Sequence, residues 1–485
     1  MLLKRFYDTK LAQASYLIGC QKTGEAIVID ANRDVAQYVA AAAEEGVRVT
    51  HVTETHIHAD FVSGSRELAQ RTGARLLLSD EGGADWKYEF AASANATLLH
   101  DHDTFMIGNL RFEVLHTPGH TPEHIAFLVT DTPASASAPI GVVTGDFLFV
   151  GDVGRPDLLE KAAHMAGTME AGARTLFRSL QNFRQLPDHL QIWPGHGAGS
   201  ACGKALGAVP TSTLGYEKLV NWGLGIDDEQ AFVDAVLDGQ PEPPKYFAEM
   251  KRINKAGPAI LGGFHRPPEL STAELDALLR DRAPVIDTRP ADVAAAGMIP
   301  GTINIPLGRS FSTWAGWLLP YDRDVFLLVQ RDDAENAVDA AVRDLAMIGL
   351  DRVAGWCSAQ ALDAWAYEGR ELVTIARRTP TEVSTQLQTG AVTVLDVRGA
   401  SEFDAGHLPG VRNIPVGYLT SHLGELQRDW PLVVHCQGGA RSAIAASLLQ
   451  AHGFTNVLDM TGGFTAWTAA GLPVVHTDAA TAGAQ

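Results

Sequence analysis

A chain of 485 residues is too long for one hydrophobic core and suggests about three domains. Hydrophobic residues make up 46% and charged residues 20%, an ordinary globular balance, and apolar runs such as Pro139–Thr144 and Leu432–Val434 are far too short to cross a bilayer. A formal net charge of -19 argues against nucleic acid or an anionic membrane as partner, while leaving room for a small anionic substrate in a locally basic pocket.

Residues 1–20 interrupt their apolar positions with Lys4, Arg5, Asp8 and Lys10, which does not read as a signal peptide, and a cytoplasmic location is expected. The four cysteines, Cys20, Cys202, Cys357 and Cys436, are widely separated and form no CxxC pair. That pattern is neither a disulfide framework nor a zinc knuckle, so reduced thiols are expected and each is read singly.

Up to about residue 265, short β-rich runs alternate with turn clusters. Ala26–Asp30, Val47–Thr53, Arg75–Ser79, Arg111–His116, Ile125–Thr130, Ile140–Thr144 and Gln191–Trp193 read as buried strands, and Val35–Glu45 and Met165–Leu180 as helices. His56, His120, Asp146 and His196 sit just beyond strand ends, where a rigid sheet can position catalytic groups. Asp30, closing its strand, reads as a buried acid that either orients neighbouring site residues or is structural, without a catalytic role.

Gly262-Gly263-Phe264-His265-Arg266-Pro267-Pro268 is a linker by composition. Beyond it the chain repeats itself. Val285-Ile286-Asp287-Thr288-Arg289 matches Val394-Leu395-Asp396-Val397-Arg398, and Pro300–Pro306 matches Pro409–Pro415, both at a separation of 109 residues. Such a period indicates duplicated domains, here 266–376 and 377–476, and the Ala/Thr/Gly-rich segment 477–485 is expected to be disordered.

Four fragments in register carry a family resemblance: Thr55-His56-Ile57-His58-Ala59-Asp60, His116-Thr117-Pro118-Gly119-His120-Thr121, Thr144-Gly145-Asp146 and Pro194-Gly195-His196-Gly197. Together they resemble the metallo-β-lactamase superfamily, which implies an αββα sandwich over residues 1–265. Dinuclear hydrolases of that superfamily, including the glyoxalase II type, read HxHxDH, but Phe61 follows Asp60 here and cannot ligate a second ion. The pattern is then most similar to the persulfide dioxygenases. That resemblance implies one Fe(II) per chain held by His56, His120 and Asp146, with His58, Asp60 and His196 orienting ligands or substrate. A 2-His-1-carboxylate set leaves open positions for dioxygen and a substrate sulfur. With His58 as a direct ligand the site becomes a zinc site instead.

Arg155, in Gly151–Asp157, reads either as a contact for an anionic thiol substrate or as half of a structural salt bridge. Cys202 follows the last motif histidine in a glycine-rich loop near Lys204, and reads either as a low-pKa thiolate handling persulfide or as a small buried residue.

The last domain resembles the rhodanese family along its length: Asp396-Val397-Arg398, Glu402-Phe403, Gly406-His407-Leu408-Pro409-Gly410, Asn413-Ile414-Pro415, Leu432–Cys436, and Gly462-Gly463-Phe464 with Trp467. Cys436 heads a short loop, Gln437-Gly438-Gly439-Ala440-Arg441, before a helical stretch Ser442–His452. Loop amides, the positive end of that helix and Arg441 favour a thiolate and then a persulfide on Cys436. In the middle domain Gln330-Arg331-Asp332-Asp333 follows the equivalent strand where a cysteine should be, so a catalytically inactive rhodanese-like copy is expected.

The expected architecture is therefore α/β, a metallo-β-lactamase sandwich followed by two rhodanese-like domains. The resemblance implies oxidation of a glutathione or coenzyme A persulfide by O2 to sulfite, then transfer of a second sulfane sulfur from Cys436 to give thiosulfate. A homo-oligomer is expected. The alternatives are a zinc thioester hydrolase with an appended sulfurtransferase, and a sulfur carrier without oxygen chemistry.

Overall fold

The computed structural model describes residues 1–134, 137–158, 168–204, 206–240 and 242–476. Contacts divide the chain into two compact units, Met1–Phe264 together with Leu345–Gly349, and His265–Asp344 together with the chain from Leu350 on. Met165–Gly167 of the expected helix, and the expected disordered tail 477–485, lie outside the described residues.

The first unit holds two six-stranded sheets. One runs in the order β1 (Leu2–Asp8), β2 (Gln13–Cys20), β3 (Glu25–Ile29), β4 (Arg48–Thr53), β5 (Arg75–Ser79), β6 (Thr97–Leu99). The other comprises β7 (Thr104–Ile107), β8 (Leu110–His116), β9 (Ile125–Asp131), β10 (Gly141–Gly145), β11 (Gln191–Pro194) and β12 (Ser212–Thr213), lying side by side in that order.

Period-two alternation builds the layers. In β3, Ile27 and Ile29 face the opposing sheet, meeting Phe112, Phe127 and Val143, whereas Ala26 and Val28 face Tyr38 and Leu68 of the covering helices Val35–Glu44 and Ser65–Thr72. In β9, Phe127 and Val129 point inward, and Ala126 and Leu128 pack under Leu176 and Leu180 of the helix Met169–Phe183. Each large side chain so buried contributes roughly 1.5–3 kcal/mol. The layers are helix, sheet, sheet, helix.

The seven expected strands are all present, shifted by a residue or two at their ends. β1 and β2 form an antiparallel hairpin that the sequence reading left out. Their apolar residues are interspersed with Gln13, Ser15 and Tyr16, which hide the strand period while satisfying buried partners at Asp30, Tyr38 and Pro194.

The second unit contains two parallel sheets. A four-stranded sheet has the order β14 (Ile303–Asn304), β13 (Val285–Asp287), β15 (Val325–Val329), β16 (Val353–Ser358). A five-stranded sheet has the order β17 (Ala376–Arg378), β21 (Val457–Met460), β20 (Leu432–His435), β18 (Thr393–Asp396), β19 (Arg412–Asn413). Reading β14-β13-β15-β16 against β19-β18-β20-β21 gives the same spatial order. Among the described residues, no helix is long and apolar enough to cross a membrane.

Candidate metal centre and cysteine cradle

The metal centre lies where β4, β8, β10 and β11 end. Asp146 follows β10 through Gly145, whose φ is +51°. A Cβ there would come within 2.5 Å of Thr55 Oγ1 and 2.7 Å of His124 Nε2, so only glycine permits the turn that brings Asp146 inward. His56, His120 and Asp146 then present ligand atoms within 4.8 Å of one another, all buried. His56 Nε2 is 4.0 Å and His120 Nε2 3.6 Å from Asp146 Oδ2.

Each imidazole is aimed by its other nitrogen. His120 Nδ1 donates to the Arg155 carbonyl at 3.1 Å, which leaves its Nε2 as a free lone pair. His56 Nδ1 bonds Thr55 Oγ1 at 2.9 Å, and Thr55 is in turn held by Asp30 at 2.7 and 3.0 Å. Burial keeps both His56 and His120 below the ordinary histidine range, in the neutral form a metal requires. Burial alone would raise the Asp146 carboxyl, but His196, His56 and His120 outweigh it and hold Asp146 ionised. Both Asp146 oxygens are buried and accept no hydrogen bond. A buried carboxylate without a donor is costly unless a cation satisfies it, so the donor set fits a metal ion.

His58 does not join this cluster. Its Nε2 faces Asp30 Oδ1 at 3.1 Å, and its ring lies 4.4 Å from Phe61, which is fully buried. Burial would lower the His58 pKa, but Asp30, Glu54 and Asp60 lift it to about 9.

His196, Asp60 and Cys202 form a second buried group, also within 4.8 Å of one another. His196 Nδ1 donates to the Ala12 carbonyl at 2.9 Å, and its Nε2 lies 3.2 Å from Asp60 and 3.4 Å from Asp146.

Two residues left open by the sequence lie in or beside this group. Cys202 is 2% exposed, and burial, then Asp60, pushes its thiol up to about 12 against the opposing pull of His196. Lys204 does not reach it electrostatically; its Nζ bonds the Asp238 carbonyl. Arg155 forms the salt bridge. It is fully buried, pairs with Asp157 at 2.8 and 3.0 Å, and donates to the Ala201 carbonyl at 2.8 Å, tying the Cys202 loop to the carbonyl that orients His120.

Sequence reasoning missed His124 and Glu123. His124 Nε2 accepts from the Asp146 N–H at 3.1 Å while Nδ1 bonds Thr117 Oγ1 at 2.8 Å, so it fixes the carboxylate's backbone. Glu123, pushed up to about 7 by burial, accepts from the Ile57 N–H between the two motif histidines. Their signal was the second acid–histidine step in His120-Thr121-Pro122-Glu123-His124.

In the second unit, Cys436 follows β20 directly and is 1% exposed. The Gly439 N–H donates to Cys436 Sγ at 3.1 Å, and Gly439 sits at φ +109°, a conformation that lets the loop turn this amide inward. The helix Ala440–Ala451 starts immediately after, with its positive end at the loop. Arg441 makes a bidentate pair with Glu402 at 2.5 and 2.7 Å, and Glu402 and then Cys436 hold its proton in place. In the middle sheet, Val329 takes the cysteine's place rather than Gln330. Asp287 pairs with Leu328 as Asp396 pairs with His435, and the next carbonyl accepts an N–H in each case, from Ala359 and from Phe464.

Comparison with known proteins agrees with this geometry. A family model of the metallo-beta-lactamase superfamily matches residues 8–196, and one of the rhodanese-like domain matches 379–470. A metallo-beta-lactamase from Staphylococcus aureus subsp. aureus COL, known by crystal structure, is 44% identical, with a TM-score of 0.66; the match covers 74% of this chain and 98% of that one. The chain therefore belongs to the metallo-β-lactamase superfamily and carries a C-terminal rhodanese-like domain.

Within that class it is similar to the mitochondrial persulfide dioxygenase ETHE1 of Bos taurus, at 29% identity over 40% of this chain and 68% of that protein. It is also similar to the hydroxyacylglutathione hydrolase of Rhodopseudomonas palustris strain BisB18, at 32% identity over 37% of this chain. That match spans 61% of the hydrolase's own length.

Proposed function

We propose that the chain oxidises a small-molecule thiol persulfide, of the glutathione or coenzyme A kind, with O2 at a mononuclear iron, and that Cys436 passes sulfane sulfur to the sulfite formed. The observation that carries this reading is the buried His56–His120–Asp146 set, with His58 turned to Asp30 and packed on Phe61 instead of joining it. Bound there, Fe(II) supplies open positions for dioxygen and a thiol sulfur.

The chain's own residues do the rest. Thr55, with Asp30 behind it, and the Arg155 carbonyl hold the two imidazoles in the ligating tautomer. His58, charged against Asp30, orients this edge without offering Nε2 as a ligand. Burial of the whole cluster excludes bulk water, which protects a persulfide from hydrolysis. At Cys436 the Gly439 amide and the helix end stabilise negative sulfur. The domain over 266–376 is an inactive rhodanese-like copy in this reading, with Val329 in the nucleophile's position.

The Asp60–His196–Cys202 group favours a second reading, a zinc thioester hydrolase. Oxygen uptake by iron-loaded protein given glutathione persulfide, with sulfite and thiosulfate quantified, separates the two. Uptake in both wild type and Cys436→Ser, with thiosulfate giving way to sulfite in the variant, is expected. No uptake by iron-replete protein, together with zinc-dependent thioester cleavage, would establish the hydrolase instead.

A further inference from the structure

The charge balance around Cys436 departs from what a site for small oxoanions requires. Two guanidinium groups reach the cradle, and both are already neutralised. Arg398, buried, is gripped by Asp396 at 2.6, 3.0 and 3.1 Å, and its remaining nitrogen bonds Gln437 Oε1 at 3.3 Å. Arg441 is gripped by Glu402 through both terminal nitrogens. His435, beneath the loop, is kept neutral by burial. What then faces a sulfur anion is an Arg441 shared between Glu402 and Cys436, together with partial charge from the Gly439 amide and the helix end. Partial charge of that kind suits one negative charge on Cys436 sulfur and is weak support for a dianion beside it.

Glu402 caps its own helix through one carboxylate oxygen, which accounts for its position but not for its bidentate grip on Arg441. It belongs to the five-residue helix Ala400–Asp404, its side chain is 38% exposed, and the Gly399 N–H fixes its carboxylate at 3.2 Å. A half-exposed ion pair contributes little to stability. Its effect falls on the site instead, since it occupies the one guanidinium that faces the cysteine loop from the helix.

We propose that Glu402 is the specificity-determining residue of the Cys436 site: by occupying Arg441 it selects singly charged sulfur donors and acceptors, such as bisulfite or an organic thiosulfonate, over dianions such as sulfite and thiosulfate. This rests on the reading of Cys436 as a sulfurtransferase. In the transfer considered, the Cys436 thiolate attacks the outer sulfur of the donor. The S–S bond breaks, Cys436 keeps the sulfur as a persulfide anion, and the electron pair leaves on sulfite or sulfinate. In the reverse direction bisulfite attacks the outer sulfur of that persulfide, releasing the thiolate, thiosulfate and a proton.

Thiosulfate and methanethiosulfonate test this directly, because both deliver a sulfane sulfur and they differ by one charge. The full chain is assayed with cyanide as common acceptor, as wild type, Glu402→Gln, Glu402→Asp and Cys436→Ser. In wild type kcat/KM favours methanethiosulfonate. In Glu402→Gln the ratio moves toward thiosulfate by about tenfold, carried by a lower thiosulfate KM, because one charge at contact distance is removed. Glu402→Asp keeps the wild-type ratio. An unchanged ratio in Glu402→Gln, or a rise in thiosulfate KM as if Glu402 only held Arg441 in place, overturns the proposal while leaving Cys436 a sulfurtransferase. Transfer from neither donor in wild type, with no mass gain on Cys436 after glutathione persulfide, overturns the sulfurtransferase reading and this proposal with it.

Discussion

The two parallel sheets of the second unit share one scaffold and differ at one edge. Arg289 grips Asp287 at 2.6, 2.9 and 3.1 Å and donates to the Gly297 carbonyl, as Arg398 grips Asp396 and donates to Gly406, both at 2.8 Å. Asn304 bonds the carbonyls of Asp287 and Arg289 just as Asn413 bonds those of Asp396 and Arg398. After β15 and β20 the copies part. One continues through Val329 into Gln330–Asp333, where Asp333 takes the left-handed conformation before its helix; the other turns through Cys436 and Gly439. The two sheets thus keep the same buried ion pair and diverge within five residues of the strand end.

Restoring the cysteine alone is the most direct attempt to break that difference. Cys436→Ser should lower sulfur transfer to cyanide by at least about 10³-fold, since Cys436 is the thiol that heads the rhodanese-like loop and the helix behind it. Val329→Cys in that background should restore none of it. Gln330–Asp333 offers no glycine to turn an amide inward, and Arg331 is paired with Asp363. Recovery of even a tenth of wild-type transfer would show that the strand end, not the loop, makes the nucleophile.

The shared ion pair predicts an equal response. Arg289→Ala and Arg398→Ala each leave a fully buried aspartate uncompensated, at a cost of about 3–5 kcal/mol in chemical denaturation. The two should agree within about 1 kcal/mol, and only Arg398→Ala should also slow transfer, through the freed Gln437. A much smaller cost for Arg289→Ala would mean that the middle copy has relaxed around its pair.

Much of this was legible in the sequence because the informative residues are punctuation. The strand ends of His56, Asp146 and His196 were readable from apolar runs that stop at Thr, Gly or Pro, and that of Cys436 from Leu432–Val434 running into His435. What stayed hidden depends on burial or on register. Cys202 lies beside Lys204 in sequence, yet folding closes it against Asp60, so its thiol moves the opposite way from the one its neighbour suggests. Arg155 stayed open between a substrate contact and a salt bridge because the sequence does not show Asp157 folding back onto it. The cysteine's counterpart was placed one residue late, since only the pairing of Asp287 with Leu328 identifies Val329. Glu402 was visible as part of a motif, but its grip on Arg441 spans 39 residues and is a fact of the fold alone.

The smallest expected effect concerns the strand beside the cradle. Eight residues before its tryptophan, the middle copy carries Cys357 and the C-terminal copy Asp459. Burial pushes the Cys357 thiol up to about 12, so it stays neutral at no electrostatic cost, but it also pushes the Asp459 carboxyl up to about 6. A carboxyl raised on folding binds its proton more tightly in the native state. Stability therefore falls as pH rises from about 4 to about 6, and the penalty is complete above that window. Asp459→Asn should stabilise the protein by on the order of 1–2 kcal/mol at pH 7.5, with the advantage fading at pH 5, as read from denaturation midpoints. Equal gains at both pH values would mean that the carboxyl is not charged at a cost. If the variant is stabilised yet transfers sulfur more slowly, the buried acid is retained for the chemistry at Cys436, a cost that the middle sheet, with Cys357 at the matching position, does not carry.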